Sequence, residues 1–243
     1  MKLEYFDLIS PEPIPYPGVG GLRSPSLGEV AKLGIAQYYA YVYVFSLDME
    51  RVCEGLDLLI PAESGIGLFD LLISAEENRT LITDALTFFL CGTANFDRTI
   101  AGFRMMEGDM ELGQVTRGNY PEVAAAILEA NHVISGLPSG KPKNKRAAEI
   151  AEKLRKAKKA QQNAGSSRDN DLGNILSPLC VQHNSYNLTN VWSLTVYQLY
   201  DQFLRQSYKC QNDIASMRWS AWDKSPSTYR SSSSHSNYLL EVF

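Results

Sequence analysis

The sequence predicts an α+β fold that is mainly helical, with a few short strands in the N-terminal half and a long amphipathic helix near the C-terminus. Three observations carry that prediction. Val196, Leu199, Phe203, Cys210, Ile214, Met217 and Ala221 recur at three- and four-residue steps, with Ser207 filling the one gap, so they share one helix face. A second stretch, residues 26–48, is apolar nearly all round. Pro11, Pro13, Pro15 and Pro17 precede it, and prolines at that density break helices and favour extended chain.

The chain has 243 residues, 44% hydrophobic and 21% charged, which is enough for a sizeable core and ordinary for a soluble globular protein. Its net charge of -4 argues against nucleic-acid binding by the molecule as a whole. Cys53, Cys91, Cys180 and Cys210 lie far apart with no Cys-x-x-Cys, a pattern of buried free thiols in a reducing compartment. The N-terminus lacks the basic and apolar parts of an export signal. The most apolar segment, residues 33–47, is shorter than the roughly 20 residues a membrane span needs. A cytoplasmic protein without membrane contact is expected.

Residues 1–9 alternate well enough for a short strand, and the proline run after them should be extended. Residues 18–21 (GVGG) read as a turn, since the spacing and the Lys-Ser/Thr of a phosphate loop are absent. Ser26 and Glu29 form a capping box behind Pro25 and start the apolar helix 26–48, whose tyrosines need hydroxyl partners wherever they are covered. Core is the first expectation for that helix and an interface the second. Residues 53–75 are irregular, and 69–74 fit a strand or a helical turn. Residues 78–90 read as a helix, 95–106 as a strand, and the acids at 107–111 as a solvated turn. Asn119 or Tyr120 ahead of Pro121 starts a further helix that continues through 124–133. Residues 172–187 are helical with a start at Ser177-Pro178, and Thr195 with Gln198 caps the long C-terminal helix. At about 1.5 Å per residue that helix runs roughly 40 Å, so it must kink, cross a second layer or project toward a partner.

The domain organisation expected is an N-terminal mixed, mostly helical domain (1–140), a basic helical linker (141–168), a C-terminal helical region (169–223) and a serine-rich tail (224–243). Between Lys141 and Lys159 nine basic residues face only Glu149 and Glu152. Lys153, Arg155, Lys156, Lys158 and Lys159 form its basic patch, which could meet an acidic protein surface or nucleic acid. An exposed linker is the plainer reading, because no aromatic residue interleaves for base stacking. Cys180 and His183 could share a metal from one helix turn, but the further ligands are missing and packing is expected. The chain carries no nucleophile–base pattern, Walker motif or metal-ligand spacing, so no enzymatic activity, cofactor or metal is expected.

Several collinear stretches together resemble a family of tailed-phage proteins from phages and prophages of Gram-positive bacteria. These are residues 4–13 (EYFDLISPEP), 19–25 (VGGLRSP), 115–120 (VTRGNY), 194–203 (LTVYQLYDQF) and 220–222 (SAW). Members of that family are tail assembly chaperones encoded beside the tape measure gene. The resemblance implies a non-enzymatic helical protein of the bacterial host cytoplasm, with the tape measure protein and the tail tube protein as partners. It also implies self-association and absence from the finished virion. The departures are the Cys180/Cys210 pair and the polar tail after Asp223, which match nothing in the family's pattern. Candidate partner-binding residues are Tyr197, Tyr200, Tyr208, Trp219 and Trp222, since large aromatics dominate binding energy when they are not core. For each taken singly, core is the first expectation. The competing functions are a structural tail or virion component and a nucleic-acid-binding regulator acting through residues 141–159.

Overall fold

The computed structural model describes residues 2–49, 52, 65, 67–133 and 172–222. Among them are eight α-helices and two small antiparallel sheets, so the fold is α+β and mainly α. The described residues fall into two compact units. The first comprises the residues up to 133 together with Val191–Gln198, and the second comprises residues 172–190 together with 199–222.

The N-terminal segment is not the strand that alternation suggests but a single helical turn, α1 (Tyr5–Ile9). The Leu8 N–H returns to the Glu4 carbonyl at 3.1 Å, which lets Leu3 and Leu8 be buried while Phe6 stays exposed. The prolines then run as expected into an extended segment, β1 (Ile14–Tyr16), which pairs with β2 (Gly20–Leu22) across the glycine turn. Gly18 and Gly20 in that turn have φ of 83° and 92°, the left-handed region that glycine enters freely.

The Ser26–Glu29 capping box forms as read from the sequence. The Glu29 N–H donates to Ser26 Oγ at 3.2 Å, and the Ser26 N–H donates to Glu29 Oε2 at 2.8 Å. The helix it starts is shorter than expected. It divides into α2 (Leu27–Leu33) and α3 (Ile35–Phe45) at Gly34, whose φ of 94° breaks the ladder. The break lets α3 bury Tyr38, Tyr41, Val42, Val44 and Phe45 while Ile35, Tyr39 and Tyr43 face outward. The Tyr38 hydroxyl finds its partner in Asn131 Oδ1 at 3.1 Å.

Residues 68–74 resolve to helix, α4 (Leu68–Ser74), followed by α5 (Glu76–Phe89). The single strand expected at 95–106 is a hairpin, β3 (Thr93–Asp97) and β4 (Gly102–Glu107), and β5 (Met110–Val115) adds a third strand in the order β3-β4-β5. The acidic cluster at 107–111 is the β4–β5 turn. Helix α6 (Tyr120–Ala130) has Asn119 as its cap and proline in its first turn, as the sequence indicates. The core of this unit lies between α3, α5, α6 and the three-stranded sheet. Aromatic rings connect these layers: Phe45 to Phe89 at 6.1 Å, Phe69 to Tyr120 at 5.0 Å, and Phe69 to Phe103 at 6.3 Å.

On the outer face of the sheet, Arg104 bridges Asp97 at 2.7 Å and Glu111 at 2.8 Å. The Thr99 hydroxyl and N–H, then Arg104, hold the Asp97 carboxyl down to about 2, from an ordinary value of 3.8. A depressed carboxylate stabilises the fold above its unfolded value and loses that contribution as pH falls through its folded value. The stability advantage of the wild type over Asp97→Asn is therefore expected to be complete above pH 3.8 and gone near pH 2. Thermal melts of both proteins across that window check it, and an advantage persisting below pH 2 would contradict it.

In the second unit α7 (Leu172–Gln182) begins earlier than Ser177, with Pro178 inside it. It buries Leu172, Ile175, Leu176 and Leu179 at three-, one- and three-residue steps, one face of a helix. Helix α8 (Val196–Trp222) follows a 3₁₀ turn at Val191–Ser193.

Candidate interaction surface

Helix α8 is started by local chemistry. The Gln198 N–H donates to Thr195 Oγ1 at 3.1 Å, and the Thr195 N–H donates to Gln198 Oε1 at 2.9 Å, a reciprocal cap of the kind the spacing predicts. The Gln198 side-chain amide also donates to the Ile9 carbonyl at 2.8 Å, and the Val196 N–H to the Pro25 carbonyl at 2.9 Å. The root of the helix is therefore stitched to the N-terminal segment. Thr195→Ala is expected to cost about 1 kcal/mol, the usual value of a lost N-cap. A urea titration read by circular dichroism measures it, and no shift in midpoint would show that the cap contributes nothing.

Beyond its root, α8 exposes its apolar side chains progressively. Val196 and Leu199 are fully buried, and Phe203 and Cys210 are half-buried. Ile214 and Met217, on the same stripe, are 54% and 61% exposed. A second row about 100° round the helix holds Leu204 at 40% and Tyr208 at 56% exposure, then Gln211 and Ala215. One helix thus carries an apolar stripe that is core at one end and open at the other. The polar side holds Arg205, which pairs with Asp201 at 2.8 Å one turn back.

The structure sorts the candidate aromatics. Tyr208 is exposed on α8 as a binding residue must be, whereas Tyr197 and Tyr200 are half-buried near its root, and the Tyr197 ring meets that of His132 at a tilt, 5.3 Å apart. Trp219 and Trp222 belong to α8, but their side chains lie outside the described residues. The basic patch Lys153, Arg155, Lys156, Lys158 and Lys159 also lies outside them. Sequence reasoning did not single out Ile214 and Met217 as surface residues. Their spacing continues that of Val196 and Leu199, and periodicity alone cannot tell the covered end of a stripe from the open one.

Other constellations resolve as structural. His183 Nδ1 accepts the Ser185 and Tyr186 N–H groups at 3.1 and 3.2 Å, so it closes the end of α7. Burial pushes the Cys180 thiol up, away from the thiolate that would ligate or react. A cleft of about 430 Å³ in the first unit is lined by Phe45, Phe69, Tyr120, Leu128 and Arg117. The Arg117 guanidinium there is paired with Asp70 at 3.0 Å and donates to the Gly65 carbonyl at 2.7 Å. No group of three or more His, Cys, Asp or Glu that could hold a metal occurs among the described residues. No helix among them is long and apolar enough to cross a membrane.

Residues 158–237 match the family described as the YomV second domain. The match covers less than half of the chain and includes all of α7 and α8, so this part is similar to a phage-type YomV domain, a likeness that assigns no role in tail assembly. No curated protein and no solved structure matches the chain.

Proposed function

We propose that this chain is a non-enzymatic phage tail assembly chaperone that holds the tape measure protein through α8 during tail morphogenesis. The observation that carries the reading is the open apolar row headed by Leu204 and Tyr208 on a helix inside the phage-type domain. A tape measure protein is long and helical, and an amphipathic helix of that kind is kept soluble by a second apolar face laid along its own. The anchoring is suited to that task. A helix capped and hydrogen-bonded at its root presents its distal face with little ordering left to do on binding, which is where affinity is usually lost.

Co-expression with a tailed-phage tape measure protein tests the proposal. The expected result is a soluble complex that co-elutes on size exclusion, with the tape measure protein insoluble alone. Leu204→Asp combined with Tyr208→Asp should abolish co-elution while leaving the melting temperature of the chaperone unchanged, since both side chains are exposed. Separate elution of the two wild-type proteins would overturn the reading. Recovery of the chain from purified particles by mass spectrometry would instead support a structural tail component.

A further inference from the structure

The face of α8 has a stricter period than an ordinary amphipathic helix. From Val196 through Tyr200, rather than Leu199, to Ala221 its seam positions alternate steps of four and three residues without a break, the seven-residue repeat of a coiled coil. Phe203, Cys210 and Met217 take the d positions, and Ser207, Ile214 and Ala221 take a. No charged residue occupies a or d anywhere in this run. The root of the seam is buried, whereas Ile214 and Met217 stand open on a helix that continues past them.

We propose that the distal part of α8 pairs, parallel and in register, with the same helix of a second copy of this chain. The flanking positions choose that occupant. In a parallel pair each g position faces the e position five residues on in the other helix. Gln206 then meets Gln211, amide to amide, and Asp213 meets Arg218, acid to base. Each flank is complementary to itself, and no like charges meet. An antiparallel pair sets g against g and e against e, so Asp213 never reaches Arg218. Asp213 and Arg218 are five apart and cannot pair along their own helix, where partners sit three or four apart. Ile214 at a is the residue type that favours two strands. Cys210 is half-buried, with the exposed side chain of Gln182 at 3.6 Å from its sulfur, and a rotation of that side chain opens it to the seam. Tyr208, at b, lies outside the pairing and Leu204, at e, flanks it before the distal part begins, so both stay open to a helical partner.

The test uses the full chain. Light scattering of the wild type should give twice the monomer mass, and Ile214→Asp should give the monomer. Asp213→Arg should weaken the dimer about tenfold by setting like charges together, and adding Arg218→Asp should restore it. Diamide, which takes up two electrons and two protons as two thiols join, should cross-link the wild type through a Cys210–Cys210 disulfide, and Cys210→Ser should not cross-link. In the Cys210→Ser background, Met217→Cys should cross-link again, because only a parallel register sets both the two 210 positions and the two 217 positions together. A monomeric wild type would overturn the proposal, and so would a dimer in which Met217→Cys fails to cross-link. Either outcome leaves the capture of the tape measure protein through Leu204 and Tyr208 to stand or fall on its own experiment.

Discussion

Replacing Phe89 with alanine is expected to destabilise the first unit by about 3–5 kcal/mol, the range for emptying a fully buried aromatic site. Phe89 is completely buried at the end of α5 and meets Phe88 at 5.2 Å, Phe45 at 6.1 Å and Tyr38 at 6.2 Å. Two of those rings come from α3, so the side chain fixes one helix against the other. The loss therefore combines transferred area, a cavity that rigid helices cannot close, and edge-to-face contacts of about 0.5–1.5 kcal/mol per pair. Against a typical total of about 5–15 kcal/mol, that is enough to populate the unfolded state. Equilibrium urea unfolding gives the number, and Phe89→Leu should recover much of it by refilling the cavity. A loss below about 1 kcal/mol would mean that the helices collapse onto the gap and that the aromatic contacts contribute little.

Gly113→Ala should be comparably severe for a different reason. A β-bulge at Leu112 of β5, opposite Met105 and Met106 of β4, shifts the register, so that Gly113 pairs with Met105 and Glu111 with Met106. Gly113 then lies directly against the β1–β2 turn, where the Gln114 N–H donates to the Gly18 carbonyl at 2.8 Å. A methyl group at 113 would collide with that carbonyl and come within 2.8 Å of the Val19 nitrogen. These are backbone atoms, and no side-chain rotation relieves them. Overpacking costs about 1–3 kcal/mol, and the hydrogen bond it displaces about 0.5–1.5 kcal/mol more, so a loss of about 3 kcal/mol is expected. Urea unfolding measures it, and slower amide exchange than expected at Gln114 would show the contact surviving. Near-wild-type stability would mean that the turn and the sheet are not in register as described.

The elements legible in the sequence are those whose cause is local. Both capping boxes, Ser26 with Glu29 and Thr195 with Gln198, are three-residue signals and form as read. Pro121 marks the first turn of α6 for the same reason. The misread elements depend on distant contacts. Gly34 sits in a stretch whose apolar period runs through it, and only the positive φ imposed by packing α2 and α3 separately reveals the break. Strand β5 was missed because its bulge spoils alternation: Leu112 is turned onto Gly20 and Gly92, whose missing side chains make room for it. The surface on α8 was half legible. Its period fixed which residues share a face, but Val196 and Met217 are equivalent in pattern, and their burial differs because, among the described residues, only the root of the helix is covered.

The hydrogen bonds at the root of α8 carry a consequence for how the protein is made. Ser24 and Ile9 receive their partners Tyr197 and Gln198 from 173 and 189 residues further along. During synthesis the N-terminal unit emerges first, yet its last segment, Val191–Gln198, leaves the ribosome only after most of the chain. Closing so long a loop delays the contact that rewards it, so completion of the first unit should be slow and late. Any product of early termination before Val191 would carry an N-terminal unit missing its final segment, a ready substrate for proteases. The chain is thus arranged so that only a nascent polypeptide that has already translated the start of α8 can finish its first unit.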